Sequence, residues 1–312
     1  MPPEFPSQFN SSPGEKDPTA AEKIPKAEAR LHFFRHARKA GGNEVPHEED
    51  LVMEITSQGW EESFATGERL ERLSDAQTAA VGSDRLRTRQ TAAAIRAAGQ
   101  PNITGQERSL KELETALGET DDLSARVWIN KGLAMPFTKG ETHGVDRILE
   151  AYNRNEYMRE SLKLHQEGVE ASKPRGSSIH AKQVYGIAKI ITRYARITPK
   201  LVENPTVPHA IERFLGTHGG VQESFWIELV RKLRGETEVE RLIAMIPNGV
   251  GYNEGMDVDI VARSRDEEPR LRILFTVGKG ESQYKFDEVV PVAVIDKVLE
   301  EFAPEFKHDN YE

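Results

Sequence analysis

Short apolar runs alternate along this chain with stretches of helical spacing, and their order predicts an α/β protein. Leu31-His32-Phe33-Phe34 is a β-type run that ends in Arg35-His36. Ser57 to Leu73 carries Trp60, Phe64, Leu70 and Leu73 among polar residues at the spacing of one helix face. Ala79-Ala80-Val81-Gly82 is a second apolar run, closed by Ser83-Asp84, residue types that cap helices, and Thr88 to Ala98 predicts the next helix. Strand, helix, strand, helix implies a parallel sheet covered by helices. From about 121 to 207 the pattern turns helical, over Val145 to Leu164 and His180 to Ile197, and predicts an α-helical insertion. Strand character returns at Ile211 to Gly216, followed by a helix from Val221 to Leu233. Met256 to Ala262 and Leu271 to Val277 are further strands, separated by a Glu267-Glu268-Pro269 turn, and Val292 to Phe302 is a closing helix. The predicted fold is a three-layer α/β sandwich with a mainly parallel sheet, flanked by helices and carrying a helical cap.

Residues 1–27 break this pattern. Pro2, Pro3, Pro6, Pro13, Pro18 and Pro25 lie among Ser, Gly, Glu and Lys, too little apolar surface to offset the entropy of ordering. They predict a disordered tail ahead of one domain at 28–312, with the cap at about 121–207. The tail lacks the cationic start and apolar core of a secretory signal, and no apolar run is long enough to cross a bilayer. Cytoplasmic residence and no membrane partner are the expectations.

Composition then narrows the chemistry. With 51 acidic against 42 basic residues the net charge is −9, which argues against a general nucleic-acid partner. Cysteine is absent, so disulfides, cysteine metal sites and thiolate nucleophiles are excluded. The cationic residues gather at strand ends. Phe34-Arg35-His36-Ala37-Arg38-Lys39 is one cluster, Ser83-Asp84-Arg85-Leu86-Arg87-Thr88-Arg89-Gln90-Thr91-Ala92 a second, and Gly216-Thr217-His218-Gly219-Gly220 a third. Open α/β sheets bind ligands at the carboxyl ends of their strands, so these clusters are expected to meet and form an oxyanion site.

Taken together and in this order, the clusters resemble the histidine phosphatase superfamily, the phosphoglycerate mutase-like group, and its first branch. Arg35-His36-Ala37 stands at the Arg-His-Gly signature, Ser83 through Ala92 at the Ser-Pro-Leu-x-Arg-Ala-x-x-Thr-Ala signature, and Thr217-His218-Gly219 at the His-Gly signature. The likeness covers roughly residues 30–120 and 208–300. It implies that His36 is the nucleophile and becomes a phosphohistidine, with no metal and no cofactor. Arg35, Arg87 and His218 would hold the phosphoryl oxygens, joined by Gly219 and Asn43, which lies one position beyond the customary Asn. The general acid would come from Leu110 to Gly118, where two registers place it at Glu114 or, close behind, Glu112. Gly219 follows the second histidine where the acid-phosphatase branch has Asp. Ala37 replaces the usual Gly, which backbone in the αR or β region tolerates and positive φ does not.

The resemblance implies hydrolysis of a phosphate monoester, with a small phosphorylated substrate whose identity, like the oligomeric state, stays open. A catalytically weak phospho-ligand-binding module and a phosphoryl mutase are the alternatives. Arg85 and Arg89 are expected to be solvated neighbours of Arg87, and the cap's Arg147, Arg154, Arg159, Lys163 and Lys182 to lie mostly on solvated faces. Asp257-Val258-Asp259-Ile260-Val261 matches an Asp-x-Asp phosphatase pattern, but a glycine-rich stretch precedes it where that chemistry needs a strand; acids on a strand's solvated face explain it.

Overall fold

A computed structural model describes residues 26–41, 47–98, 100–117, 127–135, 144–171, 178–204, 206–278 and 280–303. Seven strands form one sheet: β1 (Ala27–Arg35), β2 (Gln77–Gly82), β3 (Val127–Ile129), β4 (Ala210–Thr217), β5 (Gly255–Ala262), β6 (Arg270–Val277) and β7 (Tyr284–Val290). Their order is β3-β2-β4-β1-β5-β6-β7. The first four run parallel and β5, β6 and β7 continue antiparallel, so the sheet is mixed, with parallel pairing on the side that carries the three motifs.

Both faces of the parallel half are buried, which is why β1 reads as an almost unbroken apolar run. Leu31 and Phe33 enter one core with α7 (Ile179–Leu201), α8 (Val221–Arg234) and α10 (Val292–Glu301). Phe34 and Phe214 enter the other with α2 (Ser57–Glu68) and α3 (Leu86–Ala97), around Trp60, Phe64 and Ile95. The other α-helices among the described residues are α1 (His47–Val52), α4 (Leu110–Leu117), α5 (Val145–Asn153), α6 (Tyr157–Glu170) and α9 (Glu236–Met245). The α/β sandwich expected from the sequence is therefore present.

Several boundaries differ, each for a physical reason. The expected helix 145–164 is two helices, α5 and α6, broken at Asn155 with φ 62°. The stretch expected to be a helical insertion supplies β3 to the sheet edge beside β2. It also supplies α7, which packs on α8, α10 and β5. That helix turns Val184, Ile187, Ala188 and Ile191 fully inward, a stripe too apolar to stand over a solvated mouth. Of the expected cap, α5 and α6 bring Tyr152 and Tyr157 to the strand ends. Ser83 and Asp84 do not cap α3, whose N-cap is Arg85 without a side-chain bond. β1 begins at Ala27, and the remainder of the expected tail, residues 1–25, lies outside the described residues.

The Asp-x-Asp pair sits on β5 as expected. Asp257 faces His32 across the sheet at 2.6 Å and Asp259 accepts from Arg30 Nε at 2.6 Å. Its acids serve cross-strand pairing.

Candidate active site

The parallel register brings the three motifs together. Arg35 of β1 pairs with Thr217 of β4, and His36 N–H donates to the Thr217 carbonyl at 2.9 Å, so Arg35-His36 lies beside Thr217-His218. On the other side of β4, Val81 of β2 pairs with Leu215, which sets Ser83 next to His218. Ser83 Oγ and His218 Nε2 are 2.9 Å apart. The structure brings His36, His218, Arg35 and Arg87 into one region, and the rings of His36 and His218 lie 5.3 Å apart between centroids.

His36 is buried, and its Nδ1 is 2.7 Å from the Ala37 carbonyl. A carbonyl only accepts, so Nδ1 carries the proton and Nε2 keeps its lone pair. Burial pushes the imidazole pKa well below the ordinary 6.5, and the charges of Arg87, Arg35 and Lys39 push it the same way against the Ala37 hydrogen bond. His218 is held down likewise, by burial first and then by His36, Arg87, Arg85 and Arg35. Both rings are thus neutral at physiological pH. Ala37 is fully buried without positive φ, and its N–H donates to Thr91 Oγ1 at 2.9 Å, so the extra methyl is accommodated.

Arg35 is locked in place. One terminal nitrogen donates to the Val250 carbonyl, the other lies 3.5 Å from Tyr152 Oη, and its guanidinium sits 4.8 Å from the Tyr252 ring centroid. Gly219 lies flat against that guanidinium: a Cβ there would fall 3.0 Å from Arg35 Cζ. Gly220 has φ 92°, and a Cβ on it would overlap Tyr157. Gly220 is therefore required by its backbone and by close approach, and at Gly219 a side chain would press on Arg35.

Arg87 is buried and makes a two-pronged bond to Asp50 of α1, Nη1 to Oδ1 at 2.9 Å and Nη2 to Oδ2 at 3.1 Å. Arg85 Nε donates to Asp50 Oδ2 at 2.6 Å, and Lys39 Nζ stands 3.6 Å from Oδ1. Arg85 is therefore no solvated neighbour; it is buried and shares one carboxylate with Arg87. Burial opposes ionisation of Asp50, but the hydrogen bonds and charges of Arg87 and Arg85 outweigh it and hold the carboxyl well below its usual range. The Nε–H groups of Arg35, Arg87 and Arg89 are buried without an acceptor.

The expected acids are not bonded to the site. Glu112 and Glu114 are exposed on α4. Glu112 reaches back to the Arg108 N–H at 2.7 Å, an N-terminal cap, and no hydrogen bond or ion pair links either residue to His36, His218, Arg35 or Arg87. Helix α4 turns its one buried side chain, Leu113, toward the α2–α3 core, which points its acids outward. Asn43 and Gly118 lie outside the described residues. Of the cap cations, Arg147 pairs with Glu160 and Glu167, Arg154 with Glu150 and Glu156, and Arg159 with Glu240.

Three site residues were not foreseen. Tyr252 lies over Arg35 and Arg38 with its ring 5.9 Å from that of His36. Glu223 is fully buried and accepts from Gly220 N at 2.9 Å and Val250 N at 2.7 Å, tying the second histidine's turn to the loop that holds Arg35. Burial pushes its pKa above 4.5. Glu223 stands three residues after Gly220, a capping spacing visible in the sequence. Asp50 and Tyr252 carry no such signal. Among the described residues, no group of three or more His, Asp or Glu could hold a metal, and no helix is long and apolar enough to cross a membrane.

No family model and no curated protein matches the chain. Solved structures do. A mycobacterial glucosyl-3-phosphoglycerate phosphatase is 16% identical, with a TM-score of 0.41, over 80% of this chain and 97% of that one. A phosphoglycerate mutase from Bacillus anthracis is 15% identical, with a TM-score of 0.38, over 89% and 99%. The fold itself stands on the sheet order and register above.

Proposed function

We propose that this chain is a metal-independent phosphate monoester hydrolase that works through a phosphohistidine on His36. The observation that carries this reading is the state of the His36 ring: buried, neutral, with Nδ1–H tied to the Ala37 carbonyl and Nε2 free, among Arg35, Arg87 and His218. In the first step Nε2 attacks phosphorus, the bond to the leaving oxygen breaks, and that oxygen takes a proton from solvent. The ring becomes positive as it forms the P–N bond, and the Ala37 carbonyl steadies the N–H that shares this charge. Water then attacks phosphorus, the P–N bond breaks with its electron pair returning to Nε2, which leaves the ring neutral again, and the proton released by that water passes to solvent. The unpartnered Nε–H groups of Arg35 and Arg87 are donors suited to the charge spread over the phosphoryl oxygens.

The cations of the site, Arg35, Lys39, Arg85 and Arg87, form one small cluster in a chain of net charge −9, which favours a small phosphorylated molecule over a polyanion as substrate. With Glu112 and Glu114 exposed and not bonded to the rings, leaving groups that depart without a proton, such as aryl oxygens, should turn over fastest. An aryl phosphate assay on the wild type and His36→Ala is the test. The expected result is nearly complete loss in the variant, and an acid-labile phosphoryl adduct trapped in the wild type. Turnover retained in a folded His36→Ala refutes the assignment. The exposure of both expected acids also favours a second reading, a weakly catalytic phospho-ligand binder; it requires phosphate binding with no aryl phosphate turnover.

A further inference from the structure

Asp50 is held in the site by charge, not by packing. Among the described side chains of α1 none is buried, and Val52 at its end is 67% exposed. The carboxylate nevertheless takes both prongs of Arg87, the Nε–H of Arg85 at 2.6 Å and the nearby ammonium of Lys39. Arg87 Nη1 also donates to the Asp50 backbone carbonyl at 2.8 Å. The three cations crowd one another: burial lowers the Lys39 pKa, the Arg87 charge lowers it further, and Asp50 offsets part of this. Such a cluster requires an anion. It is also part of the nucleophile's surroundings, since Arg87 is the charge that bears most on the His36 ring. A carboxylate and a phosphoryl group both present an arginine fork with paired oxygens, so what seats one can seat the other.

We propose that Lys39, Arg85 and Arg87 form one oxyanion cradle and that Asp50 is its internal ligand, which a phosphoryl group must displace to reach His36. The proposal rests on the phosphohistidine reading of that residue. Two anions cannot share the cradle without strong repulsion, so the affinity for phosphate is lowered by the fraction of molecules in which Asp50 occupies it. Helix α1 is short and weakly packed, which lets it yield.

Inorganic phosphate titrated calorimetrically into the full chain tests this. Asp50→Asn and Asp50→Ala should each bind phosphate about tenfold more tightly than the wild type, or better. Adding Arg85→Gln to Asp50→Asn should remove that gain. Equal or weaker binding in both folded variants overturns the proposal and makes Asp50 a group that merely positions Arg87. If neither variant folds, hydrogen exchange on the wild type decides: phosphate should speed amide exchange over residues 47–52, and unchanged or slower exchange overturns the proposal. Failure of the nucleophile assignment looks different. Turnover surviving in His36→Ala, with phosphate still bound more tightly by Asp50→Asn, supports the cradle while removing His36 as the phosphoryl carrier.

Discussion

Glu223 offers a measurable test of how the site is held. Its carboxylate takes two backbone N–H groups, Gly220 at 2.9 Å and Val250 at 2.7 Å, from two turns far apart in sequence. The side chain is fully buried, so neither donor can turn to water when it is removed. Glu223→Ala orphans both; at about 1–3 kcal/mol for each unmet buried donor, the cost is about 2–6 kcal/mol. Glu223→Gln keeps one acceptor and turns its amide N–H toward the other donor, so about 1–3 kcal/mol is lost. At roughly 2 °C per kcal/mol for a domain of this size, the midpoints should fall by roughly 4–12 °C and 2–6 °C. Thermal melts followed by circular dichroism read this directly. Val250 also supplies the carbonyl that receives Arg35, so aryl phosphate kcat/KM should fall further than stability alone explains. Midpoints of both variants within a degree of the wild type would falsify the view that this carboxylate locks the two turns.

Three further outcomes follow from the geometry. Gly219→Ala sets a methyl 3.0 Å from Arg35 Cζ, tighter than most carbon contacts, so the guanidinium must give by a few tenths of an ångström; kcat/KM should drop about tenfold or more with the fold retained, as small misplacements cost in rate, and an unchanged rate would show that the position of Arg35 does not limit turnover. Glu112→Gln and Glu114→Gln should leave kcat/KM within about twofold, since surface substitutions away from a site change little; a hundredfold loss would place one of these acids in the mechanism. His32 lies between Asp257 at 2.6 Å and Glu212 at 3.2 Å, and although burial lowers its pKa, these hydrogen bonds and charges raise it above 6.5 overall. A raised histidine contributes its full stabilisation below 6.5 and loses it as pH climbs through the raised value, so the wild-type melting point should decline over that window and His32→Phe should lack the decline.

Much of the fold was legible because it rests on local periodicity. A strand buried on both faces must be apolar throughout, which marked Leu31 to Phe34 and Ile211 to Gly216 within a residue or a few of their true ends. The break at Asn155 and the burial of α7 were less legible. One is a single left-handed residue inside a helical pattern, and the other depends on which surface lies opposite the apolar stripe. In the site, His36, His218, Arg35 and Arg87 could be placed together because parallel strands put their carboxyl ends on one edge. Glu112 and Glu114 could not be judged, since a helix face is set by what its apolar side packs on, here Leu113 against the α2–α3 core.

The sequence by itself determined the chemistry available at the strand ends: a thiol-free, acidic chain with two histidines and several arginines placed just after apolar runs. Only the tertiary structure decided what those cations face. Arg85 looks solvated in the sequence and is buried, because Asp50 returns from a separate helix to claim it together with Arg87. Tyr252 reaches the same place from a loop more than two hundred residues after His36. Ion pairs and ring contacts have no period along the chain. They arise from where distant segments come to rest, and the packing of the sheet and its helices sets that.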